Sequence, residues 1–194
     1  LVPNIELIHA NVLDDRSLNA ELANCDLVIN TIGILNEIDD DNTFKNLHYE
    51  LTKKVSNAIR LNKVKRYIHI SSLNANPNAL SQYLVTKGLA ENYIRENVNE
   101  TCNTTIFRPS IVFGESDSFF NKFATILKFS PVFPLACPNS KFMPIYVGEL
   151  TDFILDSICD VSSYGKVFDV TGPREYTFRE LIDITLAALK IKRL

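Results

Sequence analysis

Glycine is scarce in this chain. Only six occur in 194 residues, at positions 33, 88, 114, 148, 165 and 172. No two stand three apart, so the sequence holds no glycine-rich turn that could wrap a diphosphate at a helix start. Tryptophan is absent, and the three histidines (His9, His48 and His69) lie far apart. The four cysteines (Cys25, Cys102, Cys137 and Cys159) show neither CxxC nor zinc spacing. No metal site is therefore expected, and the thiols read as reduced and mostly buried, in a cytoplasmic-type compartment. No apolar run reaches the roughly 18 residues of a spanning helix, and the first residues carry no signal-peptide pattern. The net charge of −3 is slightly acidic. It predicts no affinity for nucleic acid or for an anionic membrane.

What is present is an alternation. Short β-branched runs at Ile5–His9, Asp26–Thr31, Arg66–Ile70 and Thr104–Phe107 read as strands. Between them lie helical patterns at Asp15–Asn24, Asn42–Asn62 and Ala79–Asn97. In the second, Phe44, Leu47, Leu51, Val55 and Ile59 recur every three or four residues, and in the third Val85, Leu89 and Tyr93 form the apolar stripe. Strands alternating with helices predict an α/β fold: a parallel sheet with helices on both faces. After Arg108 prolines break the chain into shorter pieces. Helices are expected at Phe119–Phe129 and Gly148–Cys159, a strand at Lys166–Val170, and a helix start at Thr177, where Thr177 and Glu180 have capping-box spacing. The length suits one domain.

Within 81–87, SQYLVTK, Tyr83 and Lys87 stand four apart and so share a helix face. A nearby ammonium favours a phenolate, which lets a tyrosine exchange a proton near neutral pH. With seven tyrosines and the lysines of a chain this long, chance alone yields about 0.4 such pairs, so the pair by itself is weak. Its context adds weight. Ser71 and Ser72 end the preceding strand, where open α/β sheets place ligands. The strand ending Asn30-Thr31-Ile32-Gly33 carries a glycine that lets backbone and ligand approach. Asn11, near the end of the first run, offers an amide that pairs with an adenine edge, or that binds its own backbone.

Taken together, NVLD (11–14), NTIG (30–33), HISS (69–72), YLVTK (83–87) and RPSIVFG (108–114) resemble the extended short-chain dehydrogenase/reductase family of NAD-dependent epimerase/dehydratase type. The longer stretches HISSLNANPNALSQYLVTKGLAE, RPSIVFGESDSFFNKFA, PIYVGEL and TGPREYTFREL are similar to its atypical branch. That branch contains the nucleotide-binding accessory subunit of complex I, NADH–ubiquinone oxidoreductase. The resemblance implies a Rossmann-like sheet and NAD or NADP as cofactor. It implies Tyr83 as acid/base, Lys87 tuning it and holding the nicotinamide ribose, and Ser72 orienting a substrate oxygen. Asn11 and Val12 would line the adenine pocket, Thr31 and Gly33 would pass the phosphates and ribose, and Pro109 and Ser110 would lie beside the nicotinamide. The segment after Phe113 would cover the substrate side.

Against that pattern the family's first two strands and its GxxGxxG turn are missing. Ile5–His9 would then lack a neighbour, and the strand at 26–31 would present an open edge. The chain therefore reads as a fragment, a single partial NAD(P)-binding domain over 1–194. Its core is 1–114 and its mixed substrate-side region 115–194, with 191–194 resembling the end of a continuing helix. Without the turn, dinucleotide binding by the fragment itself is in question. Three functions follow. The first is a nucleotide-holding part of a membrane respiratory or quinone-related assembly, peripheral to the inner membrane. The second is an active NAD(P)-dependent oxidoreductase or epimerase using Ser72, Tyr83 and Lys87. The third is a nonfunctional gene fragment.

Overall fold

A computed structural model describes residues 4–130 and 132–191. The described elements run α1 (Asp15–Glu21), β1 (Leu27–Asn30), α2 (Leu51–Leu61), β2 (Arg66–Ile70), α3 (Gln82–Asn97), β3 (Asn103–Pro109), β4 (Val112–Phe113), α4 (Phe120–Phe129), β5 (Lys141–Phe142), β6 (Ile145–Tyr146), α5 (Val147–Ser157), β7 (Lys166–Val170), β8 (Tyr176–Thr177) and α6 (Phe178–Ala188). A π-helical stretch, Lys45–Glu50, leads directly into α2. The principal sheet has the order β1-β2-β3-β7, with β1, β2 and β3 parallel and in register Ile29↔Ile68↔Thr105. This is the expected Rossmann-like sheet flanked by helices. The chain divides into two compact units: residues up to Phe107 together with Ile158–Phe168, and Arg108–Ser157 together with residues from Asp169 onward.

In the first unit the periodic positions Leu47, Leu51, Val55 and Ile59 are buried against Tyr67, Ile94 and Ile106. Each such aliphatic side chain contributes on the order of 2 kcal/mol by leaving water. Strand β2 is buried from Arg66 to His69. Buried Arg66 donates to Ile158 O at 3.1 Å and to Thr105 Oγ1 at 2.7 Å, which ties the returning 158–168 segment to the sheet. Burial lowers the pKa of its guanidinium.

Three sequence expectations fail. Of the four cysteines only Cys102 is buried, whereas Cys137 and Cys159 are exposed. Ile5–His9 is not a strand. Strand β1 forms the edge of the sheet, and no described strand pairs with its outer side. Without a ladder to join, Ile5 and Leu7 stay 67% and 83% exposed. On α3, the buried stripe is not Val85, Leu89 and Tyr93, which are only half-buried. It is Thr86, Lys87, Gly88, Ala90, Glu91 and Ile94. A polar face of this helix turns inward, so apolar periodicity pointed to the wrong side.

The second unit is built from short pieces. Strands β4 and β6 pair in parallel, and β5 and β8 pair antiparallel. Phe119, Phe123, Phe142 and Phe178 interlock with ring centroids 4.9–6.2 Å apart. Thr177 caps α6 through the expected capping box with Glu180. The expectation for 191–194 lies outside the described residues from 192 onward; α6 ends at Ala188.

Candidate functional site

The carboxyl ends of β1 and β2 and the first turns of α3 bring the candidate residues of the first unit together. Gly33 follows β1 and is exposed. A methyl group at this position would lie 3.1 Å from Lys87 Nζ and 3.6 Å from His48 Nε2. The glycine thus leaves the Lys87 ammonium close to the backbone that leaves β1. Lys87 Nζ donates to Ile70 O, the last carbonyl of β2, at 3.1 Å. An ammonium has three donors; its other two have no partner among the described residues. Yet Lys87 is only 4% exposed. Burial lowers its pKa to about 8, and the charge of Glu91 one turn on opposes that shift.

His48 on the π-helical stretch completes the cluster. Its Nδ1 meets Thr86 Oγ1 at 3.0 Å, and its Nε2 lies 3.1 Å from Ile34 N and 3.2 Å from Ile34 O. The ring holds the chain just past Gly33 against α3. Burial and the Lys87 charge lower the His48 pKa to about 4, while the Ile34 carbonyl opposes them, so the ring is neutral at ordinary pH. Phe44 stacks on His48 at 5.4 Å, and Tyr83 meets it edge-on at 5.2 Å. Half-buried Tyr83 therefore has its ring fixed by Phe44 and His48, both from outside α3.

Behind them lies a second polar layer. Ser71 Oγ donates to Glu91 Oε1 at 2.5 Å, and Arg95 bridges Glu91 Oε2 at 2.7 Å. Fully buried His69 has its Nδ1 near Tyr67 Oη at 3.2 Å, while its Nε2 has no hydrogen-bond partner among the described residues. Burial first, then the charge of Lys87, drives the His69 pKa well below the ordinary value.

The other expected residues are placed less tightly. Ser72 is half-buried at the end of β2, and its hydroxyl makes a long 3.4 Å contact to Leu73 O. No hydrogen bond joins Ser72, Tyr83 and Lys87 to one another among the described residues. Thr31 is exposed beyond β1. Asn11 is exposed, and its Oδ1 accepts from Leu13 N at 3.0 Å, the local backbone bond that was its alternative reading. Val12 packs on the core. Pro109 and Ser110 lie in the second unit, where Ser110 N donates to Val170 O at 2.9 Å. Sequence reading missed His48 and Glu91. The spacing Tyr83, Lys87, Glu91, Arg95, each four apart, was the available signal for Glu91. His48 carried none, because its ring reaches the cluster from a different element.

A buried cation with two donors unpartnered among the described residues, beside an open glycine, suits the oxygens of a ligand. No glycine-rich turn is present for the diphosphate. The second unit has its own cavity of about 590 Å³, lined by Phe113, Phe120, Tyr146, Tyr176 and Leu181 among others, and it includes none of Ser72, Tyr83 and Lys87. No described helix is long and apolar enough to cross a membrane, and no metal-binding cluster occurs among the described residues.

A domain model described as NAD(P)H-binding matches residues 1–118. The NADH dehydrogenase (ubiquinone) 1 alpha subcomplex subunit 9, mitochondrial, of Mus musculus is 31% identical over 87% of this chain and 44% of its own length. Its Dictyostelium discoideum counterpart is 25% identical over 92% of this chain and 49% of its own. The NADH-ubiquinone oxidoreductase 40 kDa subunit of Neurospora crassa is 26% identical over 93% and 46%. The chain spans about half the length of these relatives. Among solved structures, UDP-glucuronic acid 4-epimerase from Bacillus cereus, in complex with UDP-glucuronic acid and NAD, superposes with a TM-score of 0.86 at 17% identity, covering 100% of this chain and 68% of that one. The dTDP-glucose 4,6-dehydratase of Streptomyces venezuelae, with NAD bound, gives 0.84 at 17% identity over 98% and 65%.

Proposed function

The chain belongs to the NAD(P)H-binding domain family, and from that premise we propose that it is the nucleotide-holding part of an accessory subunit of NADH–ubiquinone oxidoreductase. In this reading it is peripheral to the membrane that carries the complex. Its relatives are named mitochondrial, which favours that organelle's inner membrane over a cytoplasmic site. The observation that carries the reading is Lys87: a cation 4% exposed, with one protein acceptor, beside Gly33. Burying a charge with so few partners is costly, and a ligand supplying oxygens removes that cost. A bound nicotinamide supplies hydride chemistry. The chain's own residues would hold and orient it, with Lys87 on the ribose, Gly33 and Thr31 against the backbone of the ligand, and Asn11 and Val12 at the adenine.

Two measurements test this. The protein purified from its native source should carry NAD(P)(H) and migrate with the respiratory complex on a native gel. Recovery free of dinucleotide and apart from the complex would refute it.

The presence of Ser72 with Tyr83 and Lys87 supports a second reading, an active oxidoreductase or epimerase. Tyr83 would give or take a proton at its phenol oxygen, with Ser72 orienting the substrate oxygen and Lys87 favouring the phenolate. Turnover that survives Tyr83→Phe would end that reading.

A further inference from the structure

From Ser118 to Gly148 the sequence contains no aspartate, glutamate or arginine, and its charges are Lys122, Lys128 and Lys141. A net charge of −3 averages over this segment and hides it. In the second unit, the outward stripe of α4 is Asn121, Lys122, Thr125, Lys128 and Phe129, all exposed, above a buried Leu127. Phe129 is 84% exposed and Val132, just past the helix, 75%. Neither Lys122 nor Lys128 pairs with a carboxylate among the described residues; Lys141 pairs with Glu175 at 2.7 Å and is not counted here. The nearest carboxylates in sequence, Glu115 and Asp117, stand before the first turn of the helix, at the end that carries Lys122, where Asp117 accepts from Phe120 N.

The polar side chains of this stripe are already engaged. Asn121 Nδ2 donates to Glu115 O and Asp117 O at 3.1 and 3.0 Å. Thr125 donates to Asn121 O at 2.9 Å. What remains facing outward is the positive charge of two ammoniums unpaired among the described residues, with apolar surface beside it. Lysine is depleted at protein–protein interfaces. An anionic bilayer suits both features: its phosphates attract the lysines while aromatic and aliphatic tips enter the headgroup–acyl boundary.

We propose that the α4 face bearing Lys122, Lys128, Phe129 and Val132 docks this protein on an anionic lipid bilayer. The surface is independent of the Lys87 cluster and does not rest on the proposed function. The whole chain would be sedimented with phosphatidylcholine vesicles containing phosphatidylglycerol, and with phosphatidylcholine vesicles alone. Binding should need the anionic lipid and weaken as salt rises. Lys122→Gln and Lys128→Gln should each lower partitioning about fivefold, and Phe129→Ser with Val132→Ser about tenfold or more. All four side chains are exposed, so the variants should fold, which an unchanged circular dichroism spectrum would confirm. Absence of binding, equal binding to neutral vesicles, or variants that bind like the parent chain would each overturn the proposal. So would a lysine pair that matters only when another protein is present.

Discussion

The two units solve burial in opposite ways. The first buries an aliphatic core and beside it a set of polar groups: His48, Lys87, Glu91, Arg66 and His69. The second is held by interlocking phenylalanines around strands of two residues, and none of its described charged side chains is fully buried. Polar groups withdrawn from water cost free energy, and a fold keeps them chiefly where geometry or ligand binding needs them. Under the proposed function, the buried polar groups of the first unit are those that meet the ligand.

That contrast can be broken most sharply in the second unit. A Cβ at Gly172 would fall 1.9 Å from Pro144 O. Gly172→Ala should therefore destabilise that unit by about 3 kcal/mol. Near-ultraviolet circular dichroism during urea unfolding, dominated here by tyrosine and phenylalanine, would report it, and an unshifted midpoint would show that the backbone yields freely.

The next effect belongs to the first unit and to acid. The folded His48 pKa of about 4 lies below the ordinary 6.5, so as pH falls the unfolded chain takes the proton first. Stability from this group is whole above about 6.5 and is lost as pH drops toward 4, by up to about 3 kcal/mol. His69 acts in the same direction. His48→Gln should flatten the dependence of the urea midpoint on pH; an unchanged slope would place the acid sensitivity elsewhere.

Lys87 sets stability against binding. Its folded pKa of about 8 lies below 10.5, so its burial cost is fully present below pH 8 and relieved as pH rises toward 10.5. Lys87→Met should gain about 1 to 2 kcal/mol at neutral pH while weakening NADH binding at least tenfold, read by nucleotide fluorescence. Loss of both stability and binding would mean the ammonium is structural. The smallest expected effect is Thr177→Ala, which removes the α6 capping box and should cost about 1 kcal/mol. It should leave nucleotide binding untouched.

How far these features were legible in the sequence depended on whether one element or several carried them. Strand β7 and the cap at Thr177 were readable because each signal is local. The Leu47–Ile59 stripe was readable because α2 and the stretch before it are truly amphipathic. α3 was not, since its inward face carries Lys87 and Glu91, and apolar spacing favoured Val85 and Tyr93. Ile5–His9 failed for another reason: a strand needs a neighbour, and local composition cannot supply one. At the site, Tyr83 and Lys87 stood out through their spacing, whereas the His48 contacts to Thr86, Ile34 and Tyr83 are long-range and leave no trace in a linear pattern.

The π-helical stretch Lys45–Glu50 has a consequence for how this chain tolerates insertions and deletions. A π turn amounts to one residue more than an α-helix of the same length would hold. Deleting a single residue between His48 and Leu51 would remove the wide turn and change the angle between His48 and α2 about the helix axis. The ring would leave Ile34 and Tyr83 with every side chain of the cluster still encoded. The site therefore depends on a residue count as well as on residue identities, and a frame-preserving deletion there would be as damaging as losing a functional group.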